Sequence, residues 1–167
     1  MARAEASGLP EASVDLVTVA QALHWLDIPA FFAEARRVLA ADGVLAVWGY
    51  ARTHLSPEID RVMNVFHDKT VGVFWPAERW MVEDGYRSVV LPFAELDAPR
   101  FVLEQVWTLD EFAGYVRTWS ATQRYGKERG TDPVVDLVAA LGPLWGAEGS
   151  RRVVEWPIHL RVGRARD

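Results

Sequence analysis

Two apolar runs stand out along the chain, Val14 to Ala20 and Gly43 to Tyr50, the first interrupted only by Asp15 and Thr18. Between them Ile28, Phe31, Ala35, Val38 and Leu39 recur at intervals of three and four, while Glu34, Arg36 and Arg37 fall outside that stripe. Short apolar runs read as strands, and a 3.6-residue period reads as a helix with one apolar face. Asp27 is placed to cap that helix, and Pro29 is tolerated in its first turn. The pattern predicts a β-α-β unit with a right-handed crossover. Near-continuous hydrophobicity in both strands predicts helices over both sheet faces.

The flanking segments divide in the same way. Gly8-Leu9-Pro10 marks a turn before the first strand, and Asp42-Gly43 a turn before the second. Ser56-Pro57-Glu58 starts a helix whose apolar face is Ile59, Val62, Met63 and Phe66. From Val71 to Pro99 the periodicity fails, which predicts an ordered but irregular excursion that serves as a lid. Arg100 to Trp107 reads as a strand. Thr108 and Glu111 have capping-box spacing before a helix carrying Phe112, Val116 and Trp119. Asp132-Pro133 opens a further helix with Val134, Leu137, Val138 and Leu141 aligned, fading at Gly142 and Pro143. At the end, Val154, Trp156, Ile158, Leu160 and Val162 alternate with Glu155, Pro157, His159 and Arg161. That is a half-buried strand in which Pro157 requires an edge, an end or a bulge.

Composition narrows the reading. The 167 residues, 50% hydrophobic, suit one domain with a sizeable core. A net charge of -5 and no Lys/Arg run longer than a pair argue against nucleic acid as a partner. With no cysteine, thiolate catalysis, thiolate metal sites and disulfides are excluded. No apolar stretch approaches 18 residues and Met1 to Ser13 lacks a signal-peptide core, so the expectation is a cytoplasmic protein without a membrane partner. The eight tryptophans are dispersed, which suits packing around a pocket.

Candidate chemistry is sparse. The histidines at 24, 54, 67 and 159 include no i, i+4 pair, so no metal site is expected. There is no G-x-S-x-G elbow. No two of the twelve glycines stand at i and i+2, so no phosphate- or nucleotide-cradling loop is present. Gln21 to Trp25 follow the first strand directly, at the carboxyl end where open α/β sheets bind ligands.

The run AEASGLPEASVDLVTVAQALHW, followed by FFAEARRVLAADGVLAVWGY, resembles the class I S-adenosylmethionine-dependent methyltransferases, in the branch of trans-aconitate-type and other small-molecule enzymes. The first run is similar to that family's A-E-x-x-x-L-P segment, acidic S-x-D turn, fourth strand and Q-A-x-H-W. The second is similar to its R-x-L-x-x-G-G-x-L motif and fifth strand, with Asp42 in place of the first glycine. WTLDEFAGYVRTWSATQRY and the closing RVGR strand are similar to the lid helix and last strand of the branch.

The resemblance implies an α/β fold: a partial Rossmann-like sheet of the family's strands 4, 5, 6 and 7 with flanking helices, strands 1 to 3 missing. On this reading residues 1–167 are one incomplete domain with 51–99 and 108–150 as lid and substrate-side excursions, a truncated chain without the glycine-rich cofactor loop. The implied cofactor is S-adenosyl-L-methionine, bound by Ala4, Glu5, Ala20, Gln21 and Trp25. Arg3 departs from the acidic or small residue of many relatives. His24 is the implied base for a hydroxyl or amine acceptor. Its alternative role, with Trp25, is packing beneath the lid. Tyr115, Trp119, Arg124 and Tyr125 are the implied substrate-side residues, and Arg117 with Arg124 could grip a carboxylate acceptor. The other reading is a non-catalytic remnant that binds or dimerises. In the family's strand order 3-2-1-4-5-7-6 the fourth strand would have an unpaired edge, which predicts a homodimer, an aggregate or a poorly folded species.

Overall fold

The computed structural model describes residues 2–165. In chain order its elements are β1 (Val14–Ala20), α1 (Ile28–Val38), β2 (Leu39–Tyr50), α2 (Pro57–Val65), α3 (Arg79–Glu83), β3 (Ala94–Leu96), β4 (Phe101–Trp107), α4 (Leu109–Arg117), α5 (Ser120–Arg129), α6 (Val134–Trp145) and β5 (Arg152–Arg164). They form two compact units. The first holds the chain through Arg52, then Glu78–Val102 and the stretch from Pro157; the second holds Thr53–Ala77 and Leu103–Trp156. The excursion expected over 51–99 is therefore divided, and its later part, including α3 and β3, belongs with the first unit.

In the first unit the sheet order is β1-β2-β5-β3, with β1 and β2 parallel and β5 antiparallel to both β2 and β3. That is the order expected for the family's fourth, fifth, seventh and sixth strands, although the sixth is the short β3 rather than Arg100 to Trp107. The β-α-β unit forms as the periodicity predicts. Asp27 caps α1 by accepting from Ala30 N at 3.2 Å, and Pro29 lies in the first turn. Phe31, Phe32, Ala35 and Val38 are the buried face, so Phe32 joins the stripe that the spacing identified.

β2 begins at Leu39, earlier than the apolar run. Val14 pairs with Leu39 but Leu16 with Val44, so Asp42-Gly43 turns inside a bulge rather than before the strand. Asp42 adopts φ 64° there. Pro157 lies inside β5, immediately before the β2–β5 ladder, which starts at Ile158 opposite Tyr50, so no rung of that ladder needs its missing N–H.

Helical cover of both faces holds only in part. Leu45 and Val47 of β2 are fully buried, each contributing roughly 1.5–3 kcal/mol. In β1 only Val19 is buried, and Leu16 is 56% exposed. The core around these strands draws on Leu23, Phe31, Phe32, Val82, Tyr86, Val89 and Leu91. The lead-in packs on α1 through Glu34, which accepts from Ser7 N at 2.8 Å and Ser7 Oγ at 2.6 Å. Arg37 and then Ser7 pull its carboxyl down to about 2.

The second unit is helical, with β4 pairing to β5. Ser56 caps α2, and Ile59, Met63 and Phe66 are buried as the spacing predicts. Thr108 and Glu111 make the expected capping box, at 2.8 and 3.3 Å. The helix it opens ends at Arg117, and Trp119 is the N-cap of α5. α6 runs through Pro143 to Trp145 instead of fading at Gly142. Arg152 donates to the carbonyls of Leu144 and Trp145 at 2.8 Å each, satisfying helix-end acceptors that would otherwise lack partners.

Candidate functional site

The carboxyl ends of β1 and β2 are joined by a side chain. Gln21 leaves β1 at φ 52° and its amide nitrogen donates to Trp48 O at 2.8 Å, extending the ladder by one rung. Its side chain then mimics a strand. Nε2 donates to Tyr50 O at 2.8 Å and Oε1 accepts from Tyr50 N at 3.0 Å. A Cβ on Gly49 would stand 2.4 Å from Gln21 Oε1, so the absence of a side chain at 49 makes room for the amide. With both amide ends engaged, the Gln21 side chain ties the turn into 22–25 to the end of β2.

That turn is the 3-10 segment Leu23–Trp25. It sends Leu23 fully into the core, buries His24 to 7% exposure and leaves Trp25 58% exposed. The His24 and Trp25 rings are 4.6 Å apart. Nδ1 of His24 is 3.0 Å from the Tyr86 hydroxyl. Burial, followed by the charge of Arg79, lowers the His24 pKa, so the ring is neutral near pH 7. Burial pushes the Tyr86 phenol up to about 12.

Tyr86 is held from several sides. Its backbone has φ 59°, sparse territory for a bulky residue. Its N–H donates to Met81 O at 2.8 Å, and Arg161 of β5 donates to its carbonyl. The preceding Gly85, at φ 66°, lies against His159, so the turn needs glycine for both conformation and space. Nearby, Arg79 donates to Ala51 O at 3.3 Å and to Glu83 at 3.0 Å, and Arg52 pairs with Glu83 at 3.1 Å.

The remaining first-unit residues of the predicted site lie in the lead-in and at the strand end. Glu5 accepts from Asp27 N at 3.1 Å and pairs with Arg3 at 3.4 Å. Hydrogen bonds from its own backbone and from Asp27 hold its carboxyl below the usual range. Ala4 and Ala20 are exposed. Tyr86, Arg79 and Glu83 were invisible to motif reasoning. The Asp84-Gly85 pair in the sequence could have marked a turn beside them, but not the strand end they return to.

The other predicted residues belong to the second unit. Tyr115 accepts from Trp156 Nε1 at 3.0 Å and packs 5.8 Å from Trp119. Trp119 contacts Phe66 and Trp75 at 6.3 and 5.7 Å. These rings are part of an aromatic core. Tyr125 packs on Phe74 at 5.2 Å, and Arg124 reaches Phe74 O at 3.4 Å beside a cavity of about 510 Å³ lined by Val73, Phe74, Arg124, Lys127 and Glu128. Arg117 is paired with Asp132 at 2.8 Å, so the two arginines are engaged separately rather than forming one grip.

Comparison with known proteins places these features in a context. A family model described as a methyltransferase domain matches residues 1–47. A Dictyostelium discoideum protein with a provisional methyltransferase name is 30% identical over 172 residues, a match covering 98% of this chain and 65% of that protein. A solved structure from Anaeromyxobacter dehalogenans, provisionally named a type II methyltransferase, is 42% identical with a TM-score of 0.91, covering 99% of this chain and 70% of the other. The chain thus spans about two-thirds of the length of the curated relative it matches.

Proposed function

Since the chain belongs to the class I S-adenosylmethionine-dependent methyltransferase family by its likeness to the Anaeromyxobacter protein, we propose that it takes part in transferring a methyl group from S-adenosyl-L-methionine to a small-molecule acceptor. The motif resemblance to the trans-aconitate-type branch favours a carboxylate among such acceptors, and the setting is the cytoplasm. Among the described residues no helix is long and apolar enough to cross a membrane. The observation that carries the reading is the segment Gln21 to Trp25. It turns off the parallel pair β1–β2 at its carboxyl end, where open α/β sheets hold ligands, and its turn residue has positive φ.

The residues present fit one side of the cofactor. The exposed Trp25 ring offers a stacking face for a flat heterocycle, and Ala4, Glu5, Ala20 and Gln21 are proposed with it for the cofactor side. S-adenosyl-L-methionine supplies the activated sulfonium methyl. What the protein adds is alignment of the acceptor in line and exclusion of water. Tyr115, Trp119, Arg124 and Tyr125 are proposed for the acceptor side, with Arg124 lining its cavity.

The 167 residues carry no glycine-rich loop for the methionine end. Affinity of this chain for the cofactor should therefore be weaker than about 1 mM, or roughly 4 kcal/mol of binding. Calorimetry with amide-shift mapping tests both parts. Weak perturbation confined to residues 4–5 and 20–25 is expected. Micromolar binding would overturn the partial-site reading, and no response at residues 20–25 would overturn the cofactor reading.

A second reading is favoured by one observation. Among the described residues β1 pairs with β2 alone, and Asp15, Leu16, Thr18 and Ala20 are exposed. A non-catalytic module could self-associate through such an edge as a homodimer.

A further inference from the structure

His24 and Tyr86 come from segments 62 residues apart and meet in a single hydrogen bond of 3.0 Å. Heavy atoms alone leave its direction open, since an imidazole Nδ1 either donates or accepts. The surroundings decide it. Tyr86 is 1% exposed, and among the described residues its hydroxyl has no hydrogen-bond partner other than His24. If the ring donated, the phenolic hydrogen would be a buried donor with no acceptor, the costlier arrangement. If the phenol donates, its hydrogen is satisfied and the ring proton moves to Nε2, which has no protein partner among the described residues.

Both groups are suited to that direction. The phenol stays protonated across the physiological range, and the buried ring stays neutral beside Arg79, with Glu78 as the opposing charge. The clamp on Tyr86 by Arg161, by Met81 and by the Gly85 turn fixes the hydroxyl relative to Nδ1.

We infer that Tyr86 is a positioning residue that holds His24 as its Nε2–H tautomer, so that His24 presents a hydrogen-bond donor to an oxygen atom of a bound ligand rather than a base. The inference rests on the proposed reading only for the ligand; the tautomer is a property of the chain by itself. It reverses the role expected for His24. A neutral ring with Nδ1 occupied by a phenol and Nε2 protonated has no lone pair free to take a proton, and what it does is orient an acceptor or cofactor oxygen through N–H.

Long-range proton–nitrogen correlation spectra of the imidazole rings in the full chain, without cofactor, test this, with His24→Gln assigning the signals. The expected wild-type pattern is a neutral ring with the hydrogen on Nε2, in excess by on the order of tenfold, and a slowly exchanging Tyr86 hydroxyl. In Tyr86→Phe the excess should shrink several-fold while the other three rings keep their signals. A wild-type ring with the hydrogen on Nδ1, or an excess unchanged in Tyr86→Phe, would overturn the inference. Should Tyr86→Phe fail to fold, the wild-type pattern decides alone. No cofactor response at residues 20–25 with the expected tautomer present would count against the cofactor reading and leave the pair intact.

Discussion

β1 and β2 have nearly the same character as sequence, two apolar runs bounding one helix, and they lie side by side in register from Leu16–Val44 to Ala20–Trp48. Their environments differ sharply. β2 has β1 on one edge and β5 on the other and alternates buried with half-buried positions, whereas β1 has β2 alone among the described residues and buries only Val19. Hydrophobicity made both segments strands. How much each stabilises the fold depends on what packs against it.

The largest expected effect separates the two strands directly. Leu45→Ala, at a fully buried position of β2, should cost about 2–5 kcal/mol by urea unfolding. Leu16→Ala, at 56% exposure in β1, should stay within about 0.5 kcal/mol. Equal losses would mean that β1 is covered as fully as β2 and would break the comparison.

An intermediate effect is expected where the strand ends are coupled. Gly49→Ala places a methyl 2.4 Å from Gln21 Oε1, so the Gln21 amide must leave Tyr50 or the strand must shift, at a cost of roughly 1–3 kcal/mol. Thermal unfolding with amide exchange at Tyr50 reads this out. An unchanged melting temperature and full protection at Tyr50 would show that the side-chain rung does not hold the two ends together.

The smallest effect on stability, and the most informative about association, belongs to Leu16→Lys. Unfolding should change by no more than about 0.5 kcal/mol, because the side chain is already in water. Light scattering should show less self-association than wild type, since a lysine on an edge strand discourages pairing. A monodisperse wild-type monomer with strongly protected amides across β1 would remove the basis for the dimerising reading.

Local signals were the most legible. The Asp27 and Ser56 caps, the Thr108–Glu111 capping box and the apolar faces of α1 and α2 all follow from residue spacing within one helical turn. Legibility fell where a segment's partner is distant in sequence. The run from Val71 to Pro99 shows no period because its elements are as short as α3 and β3 and its buried residues Val82, Tyr86, Val89 and Leu91 are set by the core they enter. The extension of α6 through Pro143 was hidden because carbonyls near its end are satisfied by Arg152, outside the helix.

The site divides along the same line. Sequence by itself determined that Gln21 to Trp25 would follow a strand and precede a capped helix, and the motif they form named the family. Tertiary structure decided what each of them packs against. Gln21 bridges the two strand ends because Gly49 leaves space for its amide, and His24 met Tyr86 because the Gly85 turn and Arg161 hold the phenol there. Spacing along a chain encodes which side chains share a face. The direction of a hydrogen bond between segments 62 residues apart depends on which other partners the buried groups lack, and only packing determines that.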